Sequence, residues 1–146
     1  MVFLQILNIR IHNLIETRAK MRAKFSSKLA VKPSEIAVTS RDRTFMQDLL
    51  TVTEKHIDDE TFSVEQLGKE VNMSTSQINR KLKALINQSA QQFIRSVRMQ
   101  RAHELLKNKA ATVAEIAYQV GFKDPGYFTK VFKAHFGQQP SEVNSE

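Results

Sequence analysis

The chain has 146 residues, with 22 Lys and Arg against 15 Asp and Glu, a net charge of +7 and a pI near 9.8; this is the length of one ordinary domain with or without an extension, and a charge suited to a polyanionic partner. No cysteine is present, which excludes a disulfide framework and any thiolate metal site. Only four Gly and three Pro punctuate Leu, Ile, Val and Phe at helical spacings, so an all-α fold is expected.

Residues 1–7 are apolar but too short to span a bilayer, and they lack the basic flank and small-residue cleavage site of a secretory signal. A cytoplasmic protein with no membrane partner is expected. Leu4, Leu7, Ile11, Leu14, Met21 and Phe25 then alternate steps of three and four, with Arg18 interrupting the seam. Two readings stay open: a helix that pairs with its own copy in a homodimer, or one that packs on another domain. Around Ser26-Ser27 and Lys32-Pro33-Ser34 the helical period is lost, so residues 1–40 read as an N-terminal helical extension and linker. Ser40 is the expected cap of a helix that turns Phe45, Leu49 and Val52, with Met46 and Leu50, inward and ends near Ile57. Asp58-Asp59-Glu60 is a solvated acidic turn, since no further oxygen ligands follow at calcium-loop spacing.

Ser63 and Gln66 have the spacing of a reciprocal helix cap, Val64, Leu67 and Val71 share one face, and Asn72-Met73-Ser74 forms a turn. A second helix starting at Ser74 or Thr75 carries Ile78, Leu82 and Leu85 inward, so residues 63–86 read as helix, turn, helix. Ala90 to Lys107 is a long amphipathic helix with Phe93, Ile94, Val97, Ala102, Leu105 and Leu106 on one side and Arg95, Arg98 and Arg101 elsewhere. Residues 112–136 then repeat the first unit. Thr112 and Glu115 have the spacing of a second reciprocal cap, on a helix with Val113, Ile116, Ala117 and Val120 inward, Gly121 ends it, and Asp124-Pro125 starts the next. That helix buries Phe128, Val131 and Phe132 and leaves Gly126, Thr129, Lys130 and Lys133 off the apolar face. An offset of 49 aligns Val64, Leu67, Val71 and Met73 with Val113, Ile116, Val120 and Phe122; beyond the turn an offset of 50 aligns Ile78, Leu82, Lys83 and Ala84 with Phe128, Phe132, Lys133 and Ala134.

A short cationic helix held by a rigid partner helix is a geometry that enters the DNA major groove. The connecting helix, at about 1.5 Å per residue, covers roughly 27 Å, of the order of the roughly 34 Å between successive major-groove faces on one side of B-DNA. From Ser63 onward 12 basic residues stand against 7 acidic ones, a balance of +5, whereas residues 1–62 carry 10 against 8, or +2. The basic excess lies with the helical pairs.

The run Phe93, Arg98, Ala102, Leu105-Leu106, Ile116-Ala117, Gly121-Phe122, Asp124, Tyr127-Phe128, Phe132-Lys133, Gly137 and Pro140, with Ser76, Ile78, Arg80, Leu82 and Lys83 in the first unit, resembles the signature of the AraC/XylS-type DNA-binding domain. The resemblance implies two helix-turn-helix subdomains joined by a long linker helix, within a DNA-binding domain over residues 41–146. It implies a bacterial transcription regulator with double-stranded DNA as its partner and RNA polymerase as a candidate second one. Residues 10–25 and 33–40 are similar to the connector between a receiver domain and an AraC-type domain in hybrid two-component regulators, which implies a C-terminal output portion of a longer protein. Two departures stand out: Ala90 replaces the Pro that commonly precedes the linker helix, and Pro125-Gly126 opens the second reading helix without side chains that can read a base edge.

Base readout needs donors and acceptors on the exposed N-terminal part of each second helix. These are Ser76, Gln77, Asn79 and Arg80 in the first unit and Thr129 and Lys130 in the second, so the first unit is expected to discriminate and the second to add affinity and register. Lys83 and Lys133, with the helix N-termini at Ser63 and Thr112, are the candidate phosphate contacts. In the family pattern Arg98 lies on a mostly buried face and is expected in a structural ion pair. Met73, Phe122, Phe128, Phe132 and Tyr127 are expected in the core. His12, His56, His103 and His135 have no ligand spacing, and neither a Gly-rich phosphate cradle nor a nucleophile motif is present; no enzyme, metal or cofactor is expected. The rival readings are a helical protein-interaction module assembling through the N-terminal heptad helix, and an architectural DNA binder indifferent to sequence.

Overall fold

The computed structural model describes residues 39–143, and among these the architecture is all-helical. In chain order the helices are α1 (Ser40–Lys55), α2 (Val64–Val71), α3 (Thr75–Ile86), α4 (Ala90–Lys107), α5 (Val113–Gln119) and α6 (Pro125–Phe136), followed by a short 3-10 helix at Pro140–Glu142. The heptad seam from Leu4 to Phe25, including Leu7, Ile11, Leu14 and Met21, lies outside the described residues.

Local chemistry sets the helix starts. Thr39, not Ser40, caps α1: its hydroxyl accepts from the Asp42 N–H at 3.1 Å while the Asp42 carboxylate accepts from the Thr39 N–H at 3.0 Å. The reciprocal cap needs an acceptor three residues on; Thr39 has Asp42 there, whereas Ser40 has Arg43. The same closed arrangement joins Ser63 to Gln66, Ser74 to Gln77 and Ser89 to Gln92. Each cap satisfies donors that a helix start otherwise leaves orphaned, and losing one costs about 1 kcal/mol.

Two hydrophobic cores flank α4. The first holds Phe45, Leu49 and Leu50 of α1, Leu67 of α2, Ile78 and Leu82 of α3, and Phe93, Ile94 and Val97 from the first half of α4. The second holds Met99, Ala102 and Leu106 from the other half, with Ile116, Ala117, Phe128 and Phe132 of α5 and α6. Val97, Arg98 and Met99 are all buried. Three successive positions at about 100° each cannot share one face, so α4 is wrapped where it passes from one core to the other instead of being simply amphipathic.

The repeat is visible in the backbone. Asn72 (φ 56) after α2 and Gly121 (φ 83) after α5 both adopt the left-handed conformation, and the next residue in each unit donates back to a carbonyl, Met73 to Gly68 and Phe122 to Ala117, both at 2.9 Å. Ser74 caps α3 two residues after Asn72, whereas Asp124 caps α6 three after Gly121. The extra residue therefore lies in the second turn. Both second helices run 12 residues and end on left-handed caps, Asn87 and Gly137, whose N–H groups bond the Lys83 and Lys133 carbonyls.

Arg98 joins the two units, but not by the expected ion pair. Nη1 donates to the carbonyls of Val120 at 3.1 Å and Gly121 at 2.6 Å, and Nη2 donates to the Asp59 carbonyl at 2.9 Å. The Asp59 carboxylate is occupied by the N–H and hydroxyl of Thr61. A planar guanidinium presents five donors in a fork, which lets a buried cation be satisfied by main-chain oxygens alone. Burial pushes Arg98 below the usual arginine range, with the Asp59 charge acting the other way.

Candidate nucleic-acid interface

The solvent-facing side of α3 carries Ser76, Gln77, Arg80 and Lys83, and that of α6 carries Gly126, Tyr127, Lys130 and Lys133. With the offset of 50, Arg80 corresponds to Lys130 and Lys83 to Lys133. All four cations are exposed. Gln77 is exposed but partly committed, since its amide oxygen accepts from the Ser74 N–H at 2.9 Å.

Three residues lie elsewhere than their spacing implies. Asn79 is half-buried, and its Oδ1 accepts from the Ala90 N–H at 2.8 Å, so its acceptor ties α3 to the start of α4. Thr129 is half-buried, and its hydroxyl donates to the Pro125 carbonyl at 3.0 Å, the back-bonding within a helix turn that a hydroxyl makes when no better acceptor is near. Tyr127, expected in the core, is 52% exposed and touches Phe122 at a ring separation of 6.1 Å. Its counterpart under the offset of 50 is the exposed Gln77, a signal in the repeat that places Tyr127 on the outer face. Phe128 and Phe132 are fully buried, and Phe122 and Met73 are partly buried against the two cores.

The four candidate phosphate contacts differ in their surroundings. The Thr112 hydroxyl accepts from the Glu115 N–H at 3.2 Å and donates to the Glu115 carboxylate at 3.0 Å; the expected reciprocal cap is therefore not closed, because that carboxylate takes the hydroxyl in place of the Thr112 N–H, and an acidic group already stands at the positive end of α5. Ser63 accepts from the Gln66 N–H at 3.3 Å, with Glu65 in the same turn. Lys83 and Lys133, by contrast, stand in the last turns of α3 and α6 with no carboxylate on either helix.

Among the described residues no cluster of His, Asp or Glu could hold a metal ion, and no helix is long and apolar enough to cross a membrane.

A family model described as a helix-turn-helix domain matches residues 67–146, more than half of the chain. The chain is 35% identical over 137 residues to histidine kinase P4 of Formosa agariphila, a match covering 94% of this chain and 10% of that protein; the chain thus spans about a tenth of that relative. Its fold is similar to a transcriptional regulator of Chromobacterium violaceum described as having an AraC-type DNA-binding domain, with a TM-score of 0.66 and 20% identity over 73% of this chain and 95% of that one. It is also similar to the C-terminal domain of the two-component response regulator yesN of Fusobacterium nucleatum, with a TM-score of 0.59 and 26% identity over 67% of this chain and 94% of that one. The paired turns, the shared linker helix and the match over both reading helices lead to one conclusion: the chain belongs to the AraC-type helix-turn-helix family of DNA-binding transcription regulators.

Proposed function

We propose that this chain is the sequence-specific DNA-reading output portion of a two-component signalling protein, with α3 supplying most of the base discrimination and α6 supplying affinity and register. The observation that carries the division is the contrast between Arg80, exposed with a guanidinium able to grip guanine through two hydrogen bonds, and the start of α6, where Pro125 and Gly126 have no reading groups and the Thr129 hydroxyl is bonded to its own helix. Ser76 and Gln77 join Arg80 in reading. Asn79 serves chiefly to hold α4, Lys130 is the remaining reading group of α6, and Lys133 and Lys83 contact the backbone. The two-component setting rests on the likenesses to a protein named as a histidine kinase and to the C-terminal domain of a response regulator. In this reading residues 1–40 connect the reader, residues 41–146, to its signal source. The seam of Leu4, Leu7, Ile11, Leu14, Met21 and Phe25 is the candidate surface for pairing two copies or for packing on another domain, RNA polymerase is a candidate second partner, and the protein works in the cytoplasm. No catalytic step is assigned to this portion.

Selection of bound sequences from a random duplex library at near-physiological salt tests the reading. Two enriched blocks about one helical turn apart, the sharper lost on Arg80→Ala, are expected. Salt-sensitive binding without enrichment would replace the reading with architectural binding, and no binding at all would replace it with a protein-interaction module.

A further inference from the structure

Two clefts separate the units. The larger, about 900 Å³, has Thr75 and Asn79 of α3 on one side and Lys123 and Tyr127 of the second unit on the other. The smaller, about 450 Å³, lies between Asn87 at the end of α3 and Lys130 and His135 of α6, with Gln92, Arg95 and Ser96 contributed by α4. Arg95 lines both. Glu60 and Glu65 line the larger cleft, whereas no carboxylate lines the smaller.

The arginines of α4 have different occupations. Arg98 is buried on three carbonyls, and Arg101 pairs with Glu54 at 3.2 Å. Arg95 is exposed, and among the described residues nothing pairs with its guanidinium. A cation with no partner among the described residues, lining the Glu60 and Glu65 cleft on one side and sharing with Lys130 the cleft that no carboxylate lines, has the chemistry of a phosphate grip. Two helices in successive major-groove segments are separated by one crossing of the minor groove, and the phosphates that flank it lie between them.

We propose that the smaller cleft seats DNA backbone phosphate between the two read segments, held by Arg95 of the linker helix together with Lys130 of α6. The proposal rests on the DNA-reading function above and makes α4 a contact element in addition to a spacer. Lys130 then spends its charge on the backbone, in keeping with the weak reading capacity of α6.

The test compares the full chain with Arg95→Gln and Arg80→Ala on a selected and a scrambled duplex over a range of salt. Arg95→Gln is expected to weaken binding to both duplexes by the same factor, about fivefold near physiological salt, and to reduce the slope of log affinity against log salt by roughly 0.9, the share of one phosphate contact. Arg80→Ala instead lowers the ratio between the duplexes. An unchanged slope for Arg95→Gln overturns the proposal, as does a fall in its selected-to-scrambled ratio. In a second arm, single methylphosphonates neutralise phosphates between the two read blocks. One position at which the unsubstituted chain and Arg95→Gln bind equally supports the contact; a difference persisting at every position overturns it. If the unsubstituted chain binds neither duplex, the DNA-reading function itself falls.

Discussion

Arg98 Nη1 donates to the Gly121 carbonyl at 2.6 Å, at the point where α5 leaves its helix through the left-handed region. The same guanidinium reaches the Asp59 carbonyl, in the turn before the first unit. Each unit has its own core, so this one side chain fixes the exit of the second helix-turn-helix against the entry to the first. It is a tie between the two units in addition to the continuous helix α4, which enters both cores.

Arg98→Lys keeps the charge but cannot serve carbonyls on two sides, because an ammonium is a point donor and lacks the planar fork. The expected loss is about 2 to 3 kcal/mol of stability, from buried carbonyls left without donors. Urea unfolding followed by helical circular dichroism measures it. Binding to a two-block duplex should weaken in parallel, since α4 alone then ties the two units.

The glycines at the two left-handed positions should respond differently to alanine. At Gly137 (φ 75) an added Cβ meets nothing within 4 Å, so Gly137→Ala carries only the conformational cost, about 1 to 2 kcal/mol. At Gly121 the Cβ would overlap the Arg98 guanidinium and lie 2.6 Å from the Ile57 carbonyl. Gly121→Ala is therefore expected to cost about 2 kcal/mol more than Gly137→Ala, because it also disrupts the Arg98 hydrogen bonds. Equal losses in paired urea titrations would show that the Arg98 network yields without penalty.

Glu54 gives a pH signature. Burial raises its carboxyl above the ordinary 4.5, with Arg101 acting in the opposite direction, and its Oε2 is buried without a hydrogen-bond partner. The folded chain thus holds this proton more tightly than the unfolded chain does. The stabilisation is full below the unfolded value and is lost as pH rises through the folded one. Asp59 has the reverse sign: the Thr61 hydroxyl and N–H hold it below 3.8, and its contribution disappears as pH falls. The readout is accordingly the difference between the native chain and Glu54→Gln. Native stability relative to the variant should decline with rising pH just above 4.5, and a constant difference in urea midpoints would contradict this.

What could be read from the sequence was set by short-range chemistry. Ser63 with Gln66, Asp124 with Pro125, and the bounds Ala90–Lys107 all depend on residues within a turn or two, and the structure has them as expected. The repeat was legible for the same reason, down to its extra residue. Arg98 and Tyr127 lie otherwise than expected because their places depend on what lies across space. Nothing near Arg98 in sequence announces carbonyls 22, 23 and 39 residues away. The Asn79 acceptor is taken by a donor that α4 brings back over it, 11 residues on. Tyr127 stands among aromatic neighbours that are core residues, yet its place in the repeat is that of the exposed Gln77.

Asn79 and Arg80 are adjacent on α3 and separate structure from recognition. Asn79→Ala removes the acceptor for the Ala90 N–H, one of the first backbone donors of α4, and is expected to cost about 1 to 2 kcal/mol of stability. Its effect on DNA should be a modest weakening, equal for selected and scrambled duplexes. Arg80→Ala removes an exposed side chain, so stability should change by no more than about 0.5 kcal/mol, while discrimination at one base position falls by about 1 to 3 kcal/mol. Thermal unfolding and competition binding on single-base variants of the selected duplex provide the two axes. If Asn79→Ala relaxes preference at a base and leaves stability intact, its Nδ2 group reads DNA and the Ala90 bond is incidental; if Arg80→Ala weakens every sequence alike, α3 discriminates through Ser76 and Gln77, and Arg80 belongs with the phosphate contacts.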